Sequence, residues 1–395
     1  MADVPRVAII GPGGIGQKHL LALLARQEIG DIALTCLCDS NPDAWEVVED
    51  LYREAGVPGF FEDVQRVDDW QVVIASPDID AVTVAVPNFL HRDIAVTALK
   101  TGKHLLLEKP LARTFNEGME IHEAWTAAVE ANPSLVGTMV LNNNHRPEVR
   151  KVAHLVQTDQ LGEIARINVK WNRRWGVPFR GAWFCEEELS GGGPGIDLMP
   201  HLIGVALMLL GWQTPDWLAG WVWRHFTDPG LADGPYGGGP KDPTVPLTVE
   251  DSAKIVMNIP GGTVVEVEAA WAMCTPMEVM EIEVIGSRGT VVMHRDWPVN
   301  DGDDEKSVDW MKVHTYMDID GPTDVDMVIN PCGDPRNADP WMGRLKMVDH
   351  WVDCLLGRAQ LSATFNEALI IQQVISNGYD SAKGGNRPVS WAALP

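Results

Sequence analysis

RVAIIGPGGIGQKHLLALLARQ, residues 6–27, decides the fold. Residues 6–10 read as a buried strand and residues 17–27 carry a helical pattern. Between them GPGGIG, residues 11–16, is a G-x-G-x-x-G loop. That motif is weak in isolation, and its position between a strand and a helix is what gives it meaning. Gly11 permits a tight turn, Gly13 lets a pyrophosphate approach the backbone, and Gly16 lets the helix pack close to the strand. The helix N-terminus adds unpaired N–H groups and a positive dipole end for phosphate. Gly11, Gly13, Gly14, Ile15 and Gly16 are therefore candidate dinucleotide contacts.

The pattern continues outward. IALTCLCD, residues 32–39, is a second apolar strand ending in Asp39, 23 positions after Gly16. A carboxylate there accepts hydrogen bonds from both ribose hydroxyls and repels a 2′-phosphate. The next residues are Ser40 and Asn41, with no arginine, so the reading favours NAD over NADP. Strands at 81–87, 103–110 and 134–142 alternate with helices at 88–102 and 114–130. Apolar strands in repeated βα units predict a doubly wound parallel sheet covered on both faces. Ligands bind such sheets at the carboxyl ends of the strands. Pro87, Asn88, His91, Glu108 and Lys109 fall there and join Asp39 and Ser40 as cofactor candidates.

After about residue 145 the period changes to strand-like alternation. EIARINVKWN (163–172) alternates, and 254–272 and 278–295 read as hairpins turned at Pro-Gly-Gly and GSRG. Helices are expected near 201–210, 343–356 and 366–382, and loops or insertions at 228–248 and 300–340. A chain of 395 residues is too long for one core. The division expected is a nucleotide-binding domain over 1–142 and a substrate-binding and oligomerisation domain over 143–395.

Composition narrows the partners. With 31 Lys+Arg against 55 Asp+Glu the formal net charge is -24, which disfavours nucleic acid and anionic membranes. The N-terminus carries no signal-peptide pattern, and no apolar run has the length of a membrane span. The six cysteines, Cys36, Cys38, Cys185, Cys274, Cys332 and Cys354, show no CxxC pair. Reduced thiols and a cytoplasmic location are expected, and no metal site is.

Taken together, these segments resemble the glucose–fructose oxidoreductase / inositol dehydrogenase / MocA family. The resemblance runs through GPGGIG with His19, VPNFLH (86–91), GKHLLLEKPLA (102–112), NHRP (144–147) and RGAWFCEEELSGGGPGIDLMPHLI (180–203). It continues through TVEDSAKIVMNIPGGTVVEVEAAWA (248–272), EIEVIGSRGTV (281–291) and DCLLGRAQLSAT (353–364). It implies an N-terminal Rossmann domain followed by an open, mostly antiparallel β-sheet with helices, a face that forms homodimers or homotetramers, and NAD(P)-dependent chemistry on a hydroxyl of a sugar or cyclitol. It also places the family's catalytic lysine at Lys109 and its aspartate and histidine at Asp197 and His201. Many members carry an acidic residue where this chain has Gly204.

That chemistry gives GGGPGIDLMPH, residues 191–201, a reading. Oxidising a secondary alcohol sends a hydride to the nicotinamide and a proton to a base. An imidazole, with an ordinary pKa of about 6.5, suits the base. His201 is expected to take the proton, Lys109 to stabilise the alkoxide, and Asp197 to orient substrate or histidine. Residues four apart on one helix share a face, so Asp197 and His201 are expected to face the nicotinamide together; with Asp197 at the N-cap, Pro200 falls in the first turn. The glycines are expected to let the chain pass close to cofactor and sugar. Asn142, His145, Arg173, Arg180 and Trp183 are substrate candidates, with Arg174 and Trp175 beside them; the arginines would suit an acidic sugar. Two other readings stand beside net redox. One is an enzyme that holds NAD tightly and cleaves glycosides through transient oxidation. The other is a non-catalytic nucleotide sensor, for which Lys109, Asp197 and His201 would have no use.

Overall fold

The computed structural model describes residues 4–54, 64–178, 180–225, 242, 244–245, 247–273, 275, 278–297, 309–315, 323–327 and 342–392. The chain divides into two compact units. One holds residues 1–142 with 340–369, and the other 143–339 with 370–395.

The first unit alternates strand and helix: β1 (Arg6–Ile10), α1 (Gly16–Glu28), β2 (Ala33–Cys38), α2 (Ala44–Glu54), β3 (Gln65–Val67), α3 (Trp70–Ala75), β4 (Ala81–Val84), α4 (His91–Lys100), β5 (His104–Leu107), α5 (Phe115–Ala131) and β6 (Gly137–Met139). Local chemistry sets the starts. Asp69 Oδ1 accepts the Gln71 N–H at 2.8 Å to cap α3, and Thr114 Oγ1 accepts the Glu117 N–H at 3.2 Å to cap α5. The six strands are parallel in the order β3-β2-β1-β4-β5-β6. The order reverses between β1 and β4, and the carboxyl ends of those strands open a crevice for a ligand. Cys36 and Cys38 are core residues of β2, and burial pushes their thiols up to about 11 and about 12. Cys185 and Cys354 are also buried and form no disulfide, while Cys274 and Cys332 lie outside the described residues.

The second unit opens with α6 (Pro147–Gln157), β7 (Ile164–Asn172), α7 (Glu187–Ser190), α8 (Pro194–Asp197) and α9 (Met199–Leu209). Then come β8 (Trp217–Trp223), β9 (Ser252–Asn258), β10 (Val264–Ala270), β11 (Glu278–Gly286), β12 (Gly289–Trp297), β13 (Asp309–Thr315) and β14 (Thr323–Met327). Helices α10 (Met342–Leu355) and α11 (Phe365–Lys383) and the short β15 (Val389–Ser390) close the chain. The sheet order is β14-β13-β12-β11-β7-β10-β9-β8-β15. It is mixed: β7 and β10 run parallel and the other pairs antiparallel. Alternate residues of β9 and β10 are buried, and the opposite face carries pairs such as Lys170–Glu281 (2.7 Å) and Lys254–Glu266 (2.6 Å). Every residue of α9 is buried.

Two expectations need correction. The stretch 300–340 is not all loop, because β13 and β14 lie in it and extend the antiparallel ladder; the loop expected at 228–248 falls mostly outside the described residues. The segment 340–369 groups with the first unit, not with the remainder of the C-terminal part. Met347, Val348, Trp351 and Val352 of α10 belong to the core that holds Leu20 and Leu23 of α1 and Val7 and Ile9 of β1. Each fully buried Leu or Ile in that cluster contributes about 1.5–3 kcal/mol. No single described helix is long and apolar enough to cross a membrane.

Candidate active site

At the end of β1 the glycines divide into two kinds. Gly11 has φ +84°, and a Cβ there would lie 2.4 Å from the Ala85 carbonyl oxygen. A Cβ on Gly16 would lie 1.9 Å from the Gly11 carbonyl oxygen. These two are required by the turn and by the approach of α1 to the sheet. Gly13 and Gly14 face open space. A Cβ on Gly14 would meet nothing within 4 Å, and one on Gly13 would meet only Asp39 Oδ2, at 3.6 Å. Ile15 leads into α1, whose first turn has no acidic residue and no side-chain cap. The loop thus keeps space, amide donors and a helix dipole on the side that Asp39 lines, which fits a dinucleotide. Asp39 Oδ1 also accepts the Asn41 N–H at 2.9 Å, which holds the carboxylate at the strand end, and Ser40 beside it is exposed.

Two buried side chains fix the strand ends here: His91 ties the end of β4 to that of β5, and Glu108 ties the end of β5 to α1 and α10. His91 has Nδ1 2.7 Å from the Pro110 carbonyl oxygen and Nε2 3.0 Å from that of Val86. Burial lowers its pKa, ahead of any other influence. Glu108 is buried with His19 Nε2 at 3.1 Å and Arg344 Nε at 2.8 Å, and its Oε2 accepts the Lys109 N–H at 3.1 Å. Burial alone would raise the Glu108 pKa; Arg344, His19 and Lys109 together hold it well below the usual carboxylate range. Both residues set the strand ends on which Pro87, Asn88 and Lys109 sit; Asn88 is buried and Lys109 is half-buried. Arg344 escapes a sequence reading because it comes from α10, 236 positions after Glu108.

In the second unit, Asp197 and His201 do not share one helix. Asp197 is the last residue of α8, Leu198 intervenes, and α9 starts at Met199. The segments on either side meet at 44°. Gly193 accepts the Asp197 N–H at 2.9 Å and Pro194 accepts that of Leu198, also at 2.9 Å, so helix begins upstream of Asp197. Pro200 has no N–H to continue that ladder, which accounts for the break. Pro200 still stands in the first turn of α9.

Around these residues the ends of β7, β10 and β11 converge. Trp271 Nε1 donates to Asp197 Oδ2 at 2.8 Å. Arg173 Nη1 lies 4.0 Å from the same oxygen, and its Nε lies 3.4 Å from Glu278 Oε1. Trp171 Nε1 donates to that Glu278 oxygen at 2.7 Å. The Trp171 ring sits 5.2 Å below the Arg173 guanidinium and 6.2 Å from the His201 ring. Trp271, Trp171 and Glu278 were not among the sequence candidates. Their one visible signal is position, since each stands at or just beyond a strand end. Arg173 thus lies between two carboxylates, those of Asp197 and Glu278.

The other candidates scatter. Asn142 and His145 bound a 3₁₀ turn after β6. Its Asn144 donates through Nδ2 to the Gly204 carbonyl at 3.3 Å. Arg180 is buried, and its carbonyl accepts the Asp242 N–H at 2.8 Å. Trp183 stacks on Phe184 with centroids 3.9 Å apart, and Arg174 lies 5.2 Å from the Trp175 ring centroid. Lys109 belongs to the first unit and Asp197 and His201 to the second. No cluster of three metal-ligating side chains occurs among the described residues.

Residues 5–131 match the model of an oxidoreductase family with an NAD-binding Rossmann fold. Residues 149–292 match the GFO/IDH/MocA C-terminal domain. Levoglucosan dehydrogenase of Pseudarthrobacter phenanthrenivorans is 27% identical over 299 residues, 73% of each chain. D-glucoside 3-dehydrogenase of Escherichia coli is 25% identical over 386 residues, 97% of this chain and 96% of the other. A solved structure of levoglucosan dehydrogenase in complex with NADH shares the fold with a TM-score of 0.78 at 20% identity, over 99% of this chain and 100% of that one.

Proposed function

The chain belongs to the GFO/IDH/MocA oxidoreductase family, and on that premise we propose that it moves a hydride between NAD and a hydroxyl or keto group of a sugar, sugar derivative or cyclitol. Gly13, Gly14 and the α1 N-terminus hold the pyrophosphate, and Asp39 holds the adenosine ribose. Bound there, the nicotinamide supplies the hydride acceptor. His201 takes the hydroxyl proton on oxidation and returns it on reduction. Lys109 offsets the charge that develops on the substrate oxygen. Asp197, fixed by Trp271 and Arg173, orients the substrate hydroxyl.

One observation carries the cofactor assignment. The space left by the missing Gly13 side chain is lined by the Asp39 carboxylate. A 2′-phosphate would meet that negative charge, and a 2′-hydroxyl would donate to it. The matched charge of Arg173 supports a neutral sugar, and the activities named for the two relatives put anhydrosugars and glucosides first among compounds to try.

The test is absorbance of reduced nicotinamide when the protein is mixed with NAD or NADP and a panel of sugars, glycosides, sugar acids and cyclitols. Reduction of NAD by neutral sugars, with NADP much poorer, is expected. Reduction of NADP in preference to NAD would overturn the role of Asp39. No reduction of either, with NAD released on denaturation, would favour internal redox without net turnover.

A further inference from the structure

Gly192, Gly193 and Gly195 do not face open space. A Cβ on Gly193 would lie 2.0 Å from the Glu250 carbonyl oxygen. One on Gly195 would lie 2.5 Å from the Tyr379 hydroxyl and 3.0 Å from Glu250 Oε1, and one on Gly192 2.2 Å from the same hydroxyl. What they admit is a buried carboxylate and the hydroxyl of the half-buried Tyr379.

Glu250 is 4% exposed. Its Oε1 accepts the Gly195 N–H at 3.0 Å and the Tyr379 O–H at 2.7 Å, and the Gly193 N–H also bonds to this carboxylate. Burial pushes its pKa up, and these donors work against that. An acidic side chain this deep is costly unless it satisfies specific partners. Here the partners are the backbone amides just before Asp197. Gly193, held on its N–H side, accepts the Asp197 N–H at 2.9 Å through its carbonyl. The residue after Glu250 fixes the other end. Asp251 accepts the Trp271 N–H at 2.9 Å, and Trp271 donates to the Asp197 carboxylate. One chain segment, Glu250–Asp251, thus sets both the backbone and the side-chain partner of Asp197.

We propose that Glu250 and Tyr379 are positioning residues that set the Asp197 carboxylate for the reaction. The idea rests on the oxidoreductase reading for its kinetic part and on geometry alone for its structural part.

The experiment uses the full chain and three variants: Tyr379→Phe, Glu250→Gln and Glu250→Ala. Backbone hydrogen exchange is followed by mass spectrometry, and kcat and KM are measured for the sugar and for NAD. Tyr379→Phe keeps the ring and deletes one donor. It is expected to speed exchange in the peptide spanning 191–198 while other peptides stay as in wild type. It is also expected to lower kcat about tenfold with KM for NAD unchanged, since the nucleotide loop is in the other unit. Glu250→Gln, which keeps an acceptor oxygen, is expected to retain more activity than Glu250→Ala. The proposal is overturned if 191–198 exchanges as in wild type in Tyr379→Phe, whatever happens to kcat. Faster exchange with unchanged kcat, or Glu250→Gln no better than Glu250→Ala, overturns it too. A wild-type protein that reduces no nicotinamide with any sugar would defeat the functional reading alone, because the exchange pattern still decides whether the clamp exists.

Discussion

His201 is 4% exposed in a helix with no other polar side chain. A packing histidine would be an odd choice there; apolar residues of similar volume would be cheaper to bury. As the proposed proton acceptor it would act as a positioned general base, which contributes about 10²–10⁴ in rate. His201→Ala is therefore expected to lower kcat at least about a hundredfold while NAD affinity, measured by titration, stays within about twofold. Turnover near that of wild type would remove His201 from the mechanism. At this scale the sequence marks Asp39 by its strand end, and the family resemblance marks Lys109, Asp197 and His201 as candidates. Trp271 and Glu278 were not legible. Asp197 meets Trp271 across 74 positions and Trp171 meets Glu278 across 107, and no local period encodes a contact of that reach. Glu250 and Tyr379 lie 129 positions apart and were hidden for the same reason.

Elements with a strong local signal form where the sequence places them. β1 matches its expected span of 6–10, and both hairpins turn where Pro-Gly-Gly and GSRG stand. Elements whose form depends on packing do not. The break at Leu198 needs Pro200 and the upstream Gly193 carbonyl together, and β13 and β14 form because β12 offers an edge to pair with. The tie between the ends of β4 and β5 carries a pH prediction. His91 is buried against two carbonyls and its pKa is lowered. Below the unfolded value of about 6.5 the unfolded chain binds a proton that the folded chain does not, so stability falls as pH drops. His104, also lowered by burial, accepts the Val136 N–H and acts in the same direction. The Tm is expected to fall between pH 7 and pH 5.5, with His91 contributing up to about 1.4 kcal/mol per pH unit. His91→Gln should start lower and fall less steeply. An identical slope in the two proteins would mean that His91 does not carry this linkage.

At the scale of the whole molecule, the two-part division after Asn142 and the class of each sheet follow from the change of period near residue 145. The assignment of 340–369 does not, because an amphipathic helix such as α10 carries no mark of which core it will cover. Nor does the parallel pairing of β7 with β10, which brings Trp171 and Trp271 to the same end of the sheet and so builds the surroundings of Asp197 and His201. Hydride transfer from a sugar carbon to NAD, as proposed for this chain, leaves an isotopic trace. The measurement that tests it most directly uses a carbon-deuterated form of the best sugar in the panel, with NAD and the full chain, and asks where the deuterium goes. The account predicts deuterium on the nicotinamide ring and a ketone or lactone formed in equal amount. Sugar converted with no deuterium on the nicotinamide, by a protein that is folded and binds NAD, would contradict it.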